Sequence, residues 1–110
     1  MTDDTPLFDA RDERTFAAAL DAWGIDAQVD KAEEEAAEFL VASKHYGRGK
    51  IGADELVDEL ADLRVMQEQL SRFVGQERVA KRVQEKMDRL RERLPEDCDV
   101  TAESPGGDGA

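Results

Sequence analysis

Hydrophobic side chains recur every three or four positions along the first half of the chain, which is the spacing of amphipathic helices. One helix is predicted over residues 12–23, where the apolar side chains share one side and Gly24 provides a stop. A second helix is predicted to begin at Asp26, a residue type favoured at the helix N-cap, and to run to about Tyr46. The pattern therefore predicts two helices separated by a glycine.

The second half of the chain repeats this arrangement. A Gly-rich loop is predicted over residues 47–52, followed by a third helix over 53–74. Gly75 separates it from a fourth helix, 76–94, which ends before a proline. Because the connection between these two helices is very short, we expect them to be antiparallel neighbours.

The two ends of the chain lack helical periodicity. Residues 1–10 are polar and predict a flexible N-terminal arm, and residues 96–110, rich in Gly, Pro and acid, predict a disordered acidic tail. Residues 11–95 between them form a single predicted helical domain. Helix-forming Ala, Leu, Glu and Arg dominate and only three prolines occur, so the predicted fold class is all-α.

The charge balance narrows the range of partners. The chain has 27 acidic and 15 basic residues and a net charge of −12, which argues against nucleic-acid polymers, because phosphate binding depends on Lys and Arg. No apolar run reaches the roughly 18 residues of a membrane span, and Cys98 is the single cysteine, so we expect a cytoplasmic protein without a disulfide framework or membrane partner. The Lys-poor acidic composition is typical of a halophilic protein.

The acidic residues of the stretch A-E-E-E-A-A-E-F (32–39) divide between different helix faces. At about 100° per residue, Glu35 lies at the rim of the apolar stripe of the second helix and Glu38 lies further round. On the third helix, Glu59 falls inside the apolar stripe and Asp62 at its edge. Desolvating such a carboxylate costs several kcal/mol unless it is compensated. We therefore expect the two helices to share a cation, and carboxylate ligands favour Mg²⁺ or Mn²⁺.

These residues also carry a family likeness. E-E-A-A-E at 34–38, followed by E-L-A-D at 59–62, resembles the EExxE…ExxD signature of the all-α nucleoside triphosphate pyrophosphohydrolases, the MazG-like superfamily. The W-G-I-D-A-Q lead-in and the K-M-D stretch of the fourth helix are similar to the small, dCTP-pyrophosphatase-like branch. The likeness covers about residues 16–95 and departs from that branch at Leu90, where the branch has an Asn.

The resemblance implies a four-helix MazG-like bundle that forms an obligate dimer or a dimer of dimers. It implies metal-dependent cleavage of (d)NTP between the α- and β-phosphates, giving a nucleoside monophosphate and pyrophosphate. The implied metal ligands are Glu35, Glu38, Glu59 and Asp62. Glu34 and Glu35 are the implied catalytic residues, with Glu34 a candidate for orienting or deprotonating the attacking water.

Further positions are candidates for holding the substrate. Lys86 and Arg93 on the fourth helix would contact phosphates, although such side chains are also commonly paired with acids on a surface. The candidates for stacking on the base are Trp23, Phe39 and the pair His45–Tyr46. A tryptophan on an apolar stripe is more commonly a core residue, and a histidine at a helix C-terminus is also favoured there by the helix dipole. Gln28 belongs to the lead-in that resembles the family's.

Two other functions remain open from the sequence. A phosphoribosyl-ATP pyrophosphohydrolase has a similar acidic pattern, and a non-catalytic helical interaction protein would have carboxylates that are only halophilic surface, as we expect for Glu33. In every case, apolar residues off the main stripes, such as Val41, Val57 and Val65, exceed what one bundle can bury. The sequence therefore predicts a homodimer or homotetramer.

Overall fold

The structure, a computed structural model, describes residues 7–100 and is all-helical over that range. It contains α1 (Ala10–Gly47), α2 (Ala53–Val74) and α3 (Gln76–Arg93). The predicted arm at 1–10 and tail at 96–110 lie largely outside the described residues. Within residues 7–100, no helix has both the length and the apolar character needed to cross a membrane. The all-α class is confirmed.

The described chain has three helices where four were predicted, and the difference lies at Gly24. Its φ of 82° and ψ of 165° are not helical, but helical structure resumes at once, so residues 10–23 and 25–47 form one interrupted element. A positive φ is readily adopted by glycine and disfavoured for other residues. The predicted stop is thus a kink inside α1, and it changes which parts of α1 can face α2.

Local hydrogen bonds define the other helix ends. Asp9 and Asp12 form a reciprocal capping box at the start of α1, with N–H to carboxylate distances of 2.8 and 3.0 Å. At the start of α2, the Gly52 N–H donates to the Glu55 carboxylate at 3.1 Å. Gly75, with a φ of 120°, ends α2 and begins α3. The bounds predicted for the last two helices agree with these positions to within one residue.

Residues 25–47 of α1 run antiparallel to α2 and place an unexpected face against it. The buried residues Gln28, Glu35 and Ala42 are spaced by seven positions, which keeps them on one helix face. The apolar stripe predicted for this helix is not the face that the structure buries. Leu40, predicted within the stripe, is 57% exposed, whereas Glu35, predicted at its rim, is 7% exposed. The prediction was wrong here because it followed hydrophobicity alone, while the packing of α2 selects the face that is buried.

Residues 10–23 of α1 pack against the C-terminal part of α2. The Gln69 side-chain amide donates a buried hydrogen bond of 3.0 Å to the carbonyl oxygen of Phe16. The Arg72 guanidinium lies 4.9 Å from the Phe16 ring centroid and forms an ion pair of 3.3 Å with Glu13. These contacts fix the segment before the Gly24 kink.

α3 contacts α2 but not α1 within the described residues, and none of its side chains is buried. Leu70 and Val74 of α2 face Val79 and Val83 of α3 across an open apolar groove of about 780 Å³, here called the α2–α3 groove. These two helices are neighbours, as predicted, and their antiparallel alignment stays a prediction. In residues 7–100, the buried apolar side chains are Phe16, Ala42 and Met66, and each keeps 7–8% exposure.

The fold is also extended for its length. The Cα radius of gyration is 17.3 Å, whereas a compact domain of this size has a radius of about 12–13 Å. Large apolar side chains remain exposed on every helix, among them Trp23, Leu40, Val57, Phe73 and Val83. A single chain therefore leaves much apolar surface in contact with water.

Candidate metal centre and adjoining pockets

Three carboxylates meet where α1 crosses the N-terminal part of α2. Glu35 and Glu38 come from α1 at a spacing of three residues, which places them side by side on the helix. Glu59 comes from the facing side of α2. One oxygen of each lies within 4.8 Å of the others, and we call these three residues the carboxylate cluster. Glu35 is buried, Glu59 half-buried and Glu38 exposed.

Two atoms of the cluster lack a hydrogen-bond partner. Among the described residues, the Oε1 atoms of Glu35 and Glu59 are buried and accept no hydrogen bond. Buried polar atoms are normally paired, and leaving one unpaired is costly, so each exception needs an explanation. A bound cation would provide one, and three oxygen ligands without nitrogen or sulfur suit a hard ion such as Mg²⁺ or Mn²⁺.

The electrostatics of the cluster agree with this. Burial raises the pKa of Glu59, and the nearby charges of Asp62, Asp58 and Glu35 raise it further. The charge of Glu35 is the main cause of the raised pKa of Glu38, with partial desolvation second. Both pKa shifts follow from burial and from like charge between neighbouring carboxylates. A divalent cation would reverse them by favouring the ionised forms.

One basic side chain contacts the cluster directly. The Lys31 Nζ atom lies 3.1 Å from Oε2 of Glu35 and 3.7 Å from Oε2 of Glu34. Its hydrogen bond to Glu35 is the largest cause of the raised pKa of Lys31, followed by the charge of Glu34. Lys31 was not singled out from the sequence, although its position four residues before Glu35 was a usable signal.

The two remaining acidic candidates lie beside the cluster. Asp62 is exposed and forms a second group of three carboxylates with Asp58 and Glu59, so Glu59 belongs to both groups. Glu34 is exposed and its carboxylate faces Lys31. The structure thus brings three of the four predicted ligands together and connects the fourth through Glu59.

A pocket of about 500 Å³ opens directly beside the cluster, and Glu38 and Glu59 form part of its wall. Its apolar walls are formed by Val41, Ala42 and Ile51, and His45 also lines it; we call it the His45 pocket. Ile51, from the loop after α1, was not singled out in the sequence because loop residues have no periodicity to mark their direction.

A second pocket of about 430 Å³, here the Trp23 pocket, contains two other predicted substrate-binding residues. Trp23 and Gln28 line it together with Lys31, Met66 and Gln69. Trp23 is 68% exposed, so it is not a core residue of the single chain, while Gln28 is buried. Both residues line this pocket together with Lys31, which also contacts the cluster.

Lys86 and Arg93 are not assembled with these groups in one chain. Both are exposed on α3, which contacts only α2 within residues 7–100.

No family model matches the chain, and no curated protein or solved structure is significantly similar to it. The likeness to the MazG-like superfamily therefore continues to depend on the motif residues themselves.

Proposed function

We propose that the protein is a metal-dependent nucleoside triphosphate pyrophosphohydrolase that cleaves (d)NTP between the α- and β-phosphates. The observation that carries this proposal is the meeting of Glu35, Glu38 and Glu59, with two buried unpaired oxygens, at the edge of a nucleoside-sized pocket. The resemblance to MazG-like enzymes implies these same positions as metal ligands.

The carboxylates would hold Mg²⁺ or Mn²⁺, which when bound supplies positive charge for the phosphates and lowers the pKa of water. Asp62 would extend the ligand set through Glu59. Glu34, exposed beside the cluster, would accept a proton from the attacking water. The water oxygen then forms a bond to the α or the β phosphorus, and the bond from that phosphorus to the α–β bridging oxygen breaks. The two products are pyrophosphate and the nucleoside monophosphate.

We assign the nucleoside to the His45 pocket, because this pocket shares Glu38 and Glu59 with the cluster. Its apolar walls would contact the sugar and base, and the His45 ring would stack on the base or donate a hydrogen bond to it. The Trp23 pocket is the other position for the base, with Trp23 stacking and Gln28 as a hydrogen-bonding group. Different substrate affinities of the His45→Ala and Trp23→Ala variants would distinguish the two.

The proposed enzyme is a dimer, or a dimer of dimers, in the cytoplasm of a salt-adapted cell. The small core and the open α2–α3 groove support a second copy as the cover. A second copy also gives Lys86 and Arg93 a route to the phosphates, since α3 does not contact α1 of its own chain. Light scattering coupled to size exclusion should give twice or four times the chain mass, and a monomer at micromolar concentration contradicts this assembly.

The activity is tested by incubating the protein with canonical and damaged (d)NTPs and phosphoribosyl-ATP, with Mg²⁺ or Mn²⁺ in high salt, and measuring pyrophosphate. Release from one or more (d)NTPs supports the proposal. Release from phosphoribosyl-ATP alone identifies the histidine-synthesis reaction instead. No release from any substrate refutes both enzymes and leaves the acidic interaction protein.

A further inference from the structure

We infer that Lys31 competes with the divalent cation for Glu35 and that its ammonium group, once released, binds a phosphate of the substrate. This inference depends on the function proposed above and goes beyond it, because neither the motif nor the resemblance gives Lys31 a role. It is argued from three observations: the Lys31–Glu35 contact, the solvent exposure of its lysine end, and the pocket into which Lys31 can move.

The first observation is that Lys31 binds a residue of the carboxylate cluster. Its Nζ atom lies 3.1 Å from Oε2 of Glu35, whereas Oε1 of Glu35 is buried and has no partner among the described residues. The same carboxylate therefore faces an ammonium group on one side and the other cluster oxygens on the other. Lys31 would weaken the binding of a divalent cation at the cluster in two ways: its positive charge repels the cation, and it occupies one oxygen of Glu35.

The second observation is that Lys31 can leave this ion pair readily, because of the order of the two residues and the exposure of the lysine. Lys31 precedes Glu35 by four residues, and this order is the weaker of the two possible orders in a helix, because it opposes the helix dipole. The Lys31 side chain is 51% exposed, so water already solvates much of it. Glu34, the second partner at 3.7 Å, is 57% exposed. The Glu35 side chain is 9% exposed, so the ammonium end of the Lys31–Glu35 pair is the end that is open to water.

The third observation is the destination of the released group. Lys31 also lines the Trp23 pocket, where Gln28 provides a polar neighbour, so its long side chain has open space beside the cluster. An ammonium group is a compact charge that suits a phosphate oxygen. Of the ion pairs described in the chain, the one that includes a cluster carboxylate is made by Lys31. Lys31 is therefore placed to leave Glu35 and to contact a negatively charged phosphate of the substrate instead.

The test compares Lys31→Met with Lys81→Met, a control that removes an exposed lysine from α3. Mn²⁺ binding is measured without substrate, from the free-ion signal in electron paramagnetic resonance at pH 8. We expect the Mn²⁺ dissociation constant of Lys31→Met to fall about two- to fivefold, because the lost ammonium charge is half exposed and partly screened by water. Its urea midpoint without metal should also be lower, because Glu35 loses its counter-ion. Lys81→Met should match the wild type in both.

Substrate binding should change in the opposite direction. The KM of Lys31→Met for the best triphosphate should rise roughly tenfold, as for loss of one charged hydrogen bond, while Lys31→Arg should stay near the wild type. If Lys31→Met misfolds by circular dichroism, Lys31→Gln takes its place with the same expectations.

The outcomes separate this inference from the proposed function. A wild type that binds Mn²⁺ and cleaves substrate, with Lys31→Met binding Mn²⁺ equally or more weakly, overturns the competition between Lys31 and metal alone. Tighter Mn²⁺ binding with an unchanged KM overturns the phosphate contact. A wild type that neither binds Mn²⁺ nor cleaves any triphosphate overturns the proposed function, and the role of Lys31 with it.

Discussion

Replacing Glu35 by glutamine should increase the stability of the metal-free protein. Glu35 is 7% exposed, its Oε1 atom lacks a partner among the described residues, and Glu38 and Glu59 add like charge within 4.8 Å. An unsatisfied buried polar atom costs about 1–3 kcal/mol. Glutamine has nearly the same shape, carries no charge and can donate N–H groups to the neighbouring carboxylates. Loss of the half-exposed Lys31 contact opposes this, so we expect a net gain of about 1 kcal/mol.

A divalent cation should reverse this order. A ligand that binds only the folded protein stabilises it by about 2.7 kcal/mol at a concentration 100 times its dissociation constant. The wild type should gain this stabilisation, whereas Glu35→Gln lacks the charged ligand at the buried side of the cluster and should gain little. The variant is thus expected to be the more stable protein without metal and the less stable protein with it. Such a trade is typical of a functional site.

The assay is urea unfolding followed by circular dichroism at one protein concentration, with either a chelator or excess Mn²⁺. For a small protein, whose free energy of unfolding changes by about 1 kcal/mol per molar urea at the low end of the usual range, the metal-free midpoint should rise by about 1 M. Glu33→Gln is the matched control, since Glu33 is exposed on the same helix and outside the cluster. A metal-free Glu35→Gln that is less stable than the wild type, or one that keeps the full Mn²⁺ response, refutes the reasoning.

Three further predictions concern the cluster and its support. Glu59→Gln should keep the helical circular dichroism spectrum but lose pyrophosphate release and at least roughly 10-fold in Mn²⁺ affinity; normal turnover would refute the placement of the site. Because the pKa values of Glu38 and Glu59 are raised, their contribution to metal-free stability is greatest below the ordinary value of 4.5 and is lost as pH rises through the raised values. The Mn²⁺ affinity should instead fall as pH drops through these values. Glu59→Gln should flatten the profile of stability against pH, and an unchanged profile would contradict the raised pKa of Glu59. Gln69→Ala should lower the unfolding free energy by about 2 kcal/mol, the sum of one hydrogen bond and one buried methylene, while the exposed Gln67→Ala should change it little; equal effects in urea unfolding would show that the bond to Phe16 is unimportant.

Much of the helical structure could be predicted because its signals are local. The glycines at 52 and 75 bracket α2, and its predicted and observed bounds coincide. Gly24 was predicted correctly as a break in helical geometry but not as a kink within one element, because a single φ value does not say whether the chain turns away. That outcome depends on the contact between Phe16 and Gln69, which are 53 positions apart.

Some residues of the candidate site could be placed from the sequence and others could not. Glu59 could be placed because an acid within a regular apolar stripe is visible in the sequence. Glu35 was placed at a rim because the predicted core followed the apolar stripe that includes Leu40, yet Leu40 is more than half exposed. The pocket lined by His45 depends on what α2 and the following loop place beside it, which no spacing along α1 reveals. The contact of Lys31 with Glu35 is local to α1, and its four-residue spacing is visible in the sequence.

The sequence by itself determined the helices, the strong negative charge and the presence of paired acids on two successive helices, because propensity, capping and charge act between near neighbours. Only the tertiary structure decided which acids meet. The packing of α2 on the Gln28–Glu35–Ala42 face buries Glu35 and places it with Glu38 against Glu59, while Asp62 stays outside. The physical reason is that burial and carboxylate repulsion depend on distances across the helix interface, and these are fixed only when the helices pack.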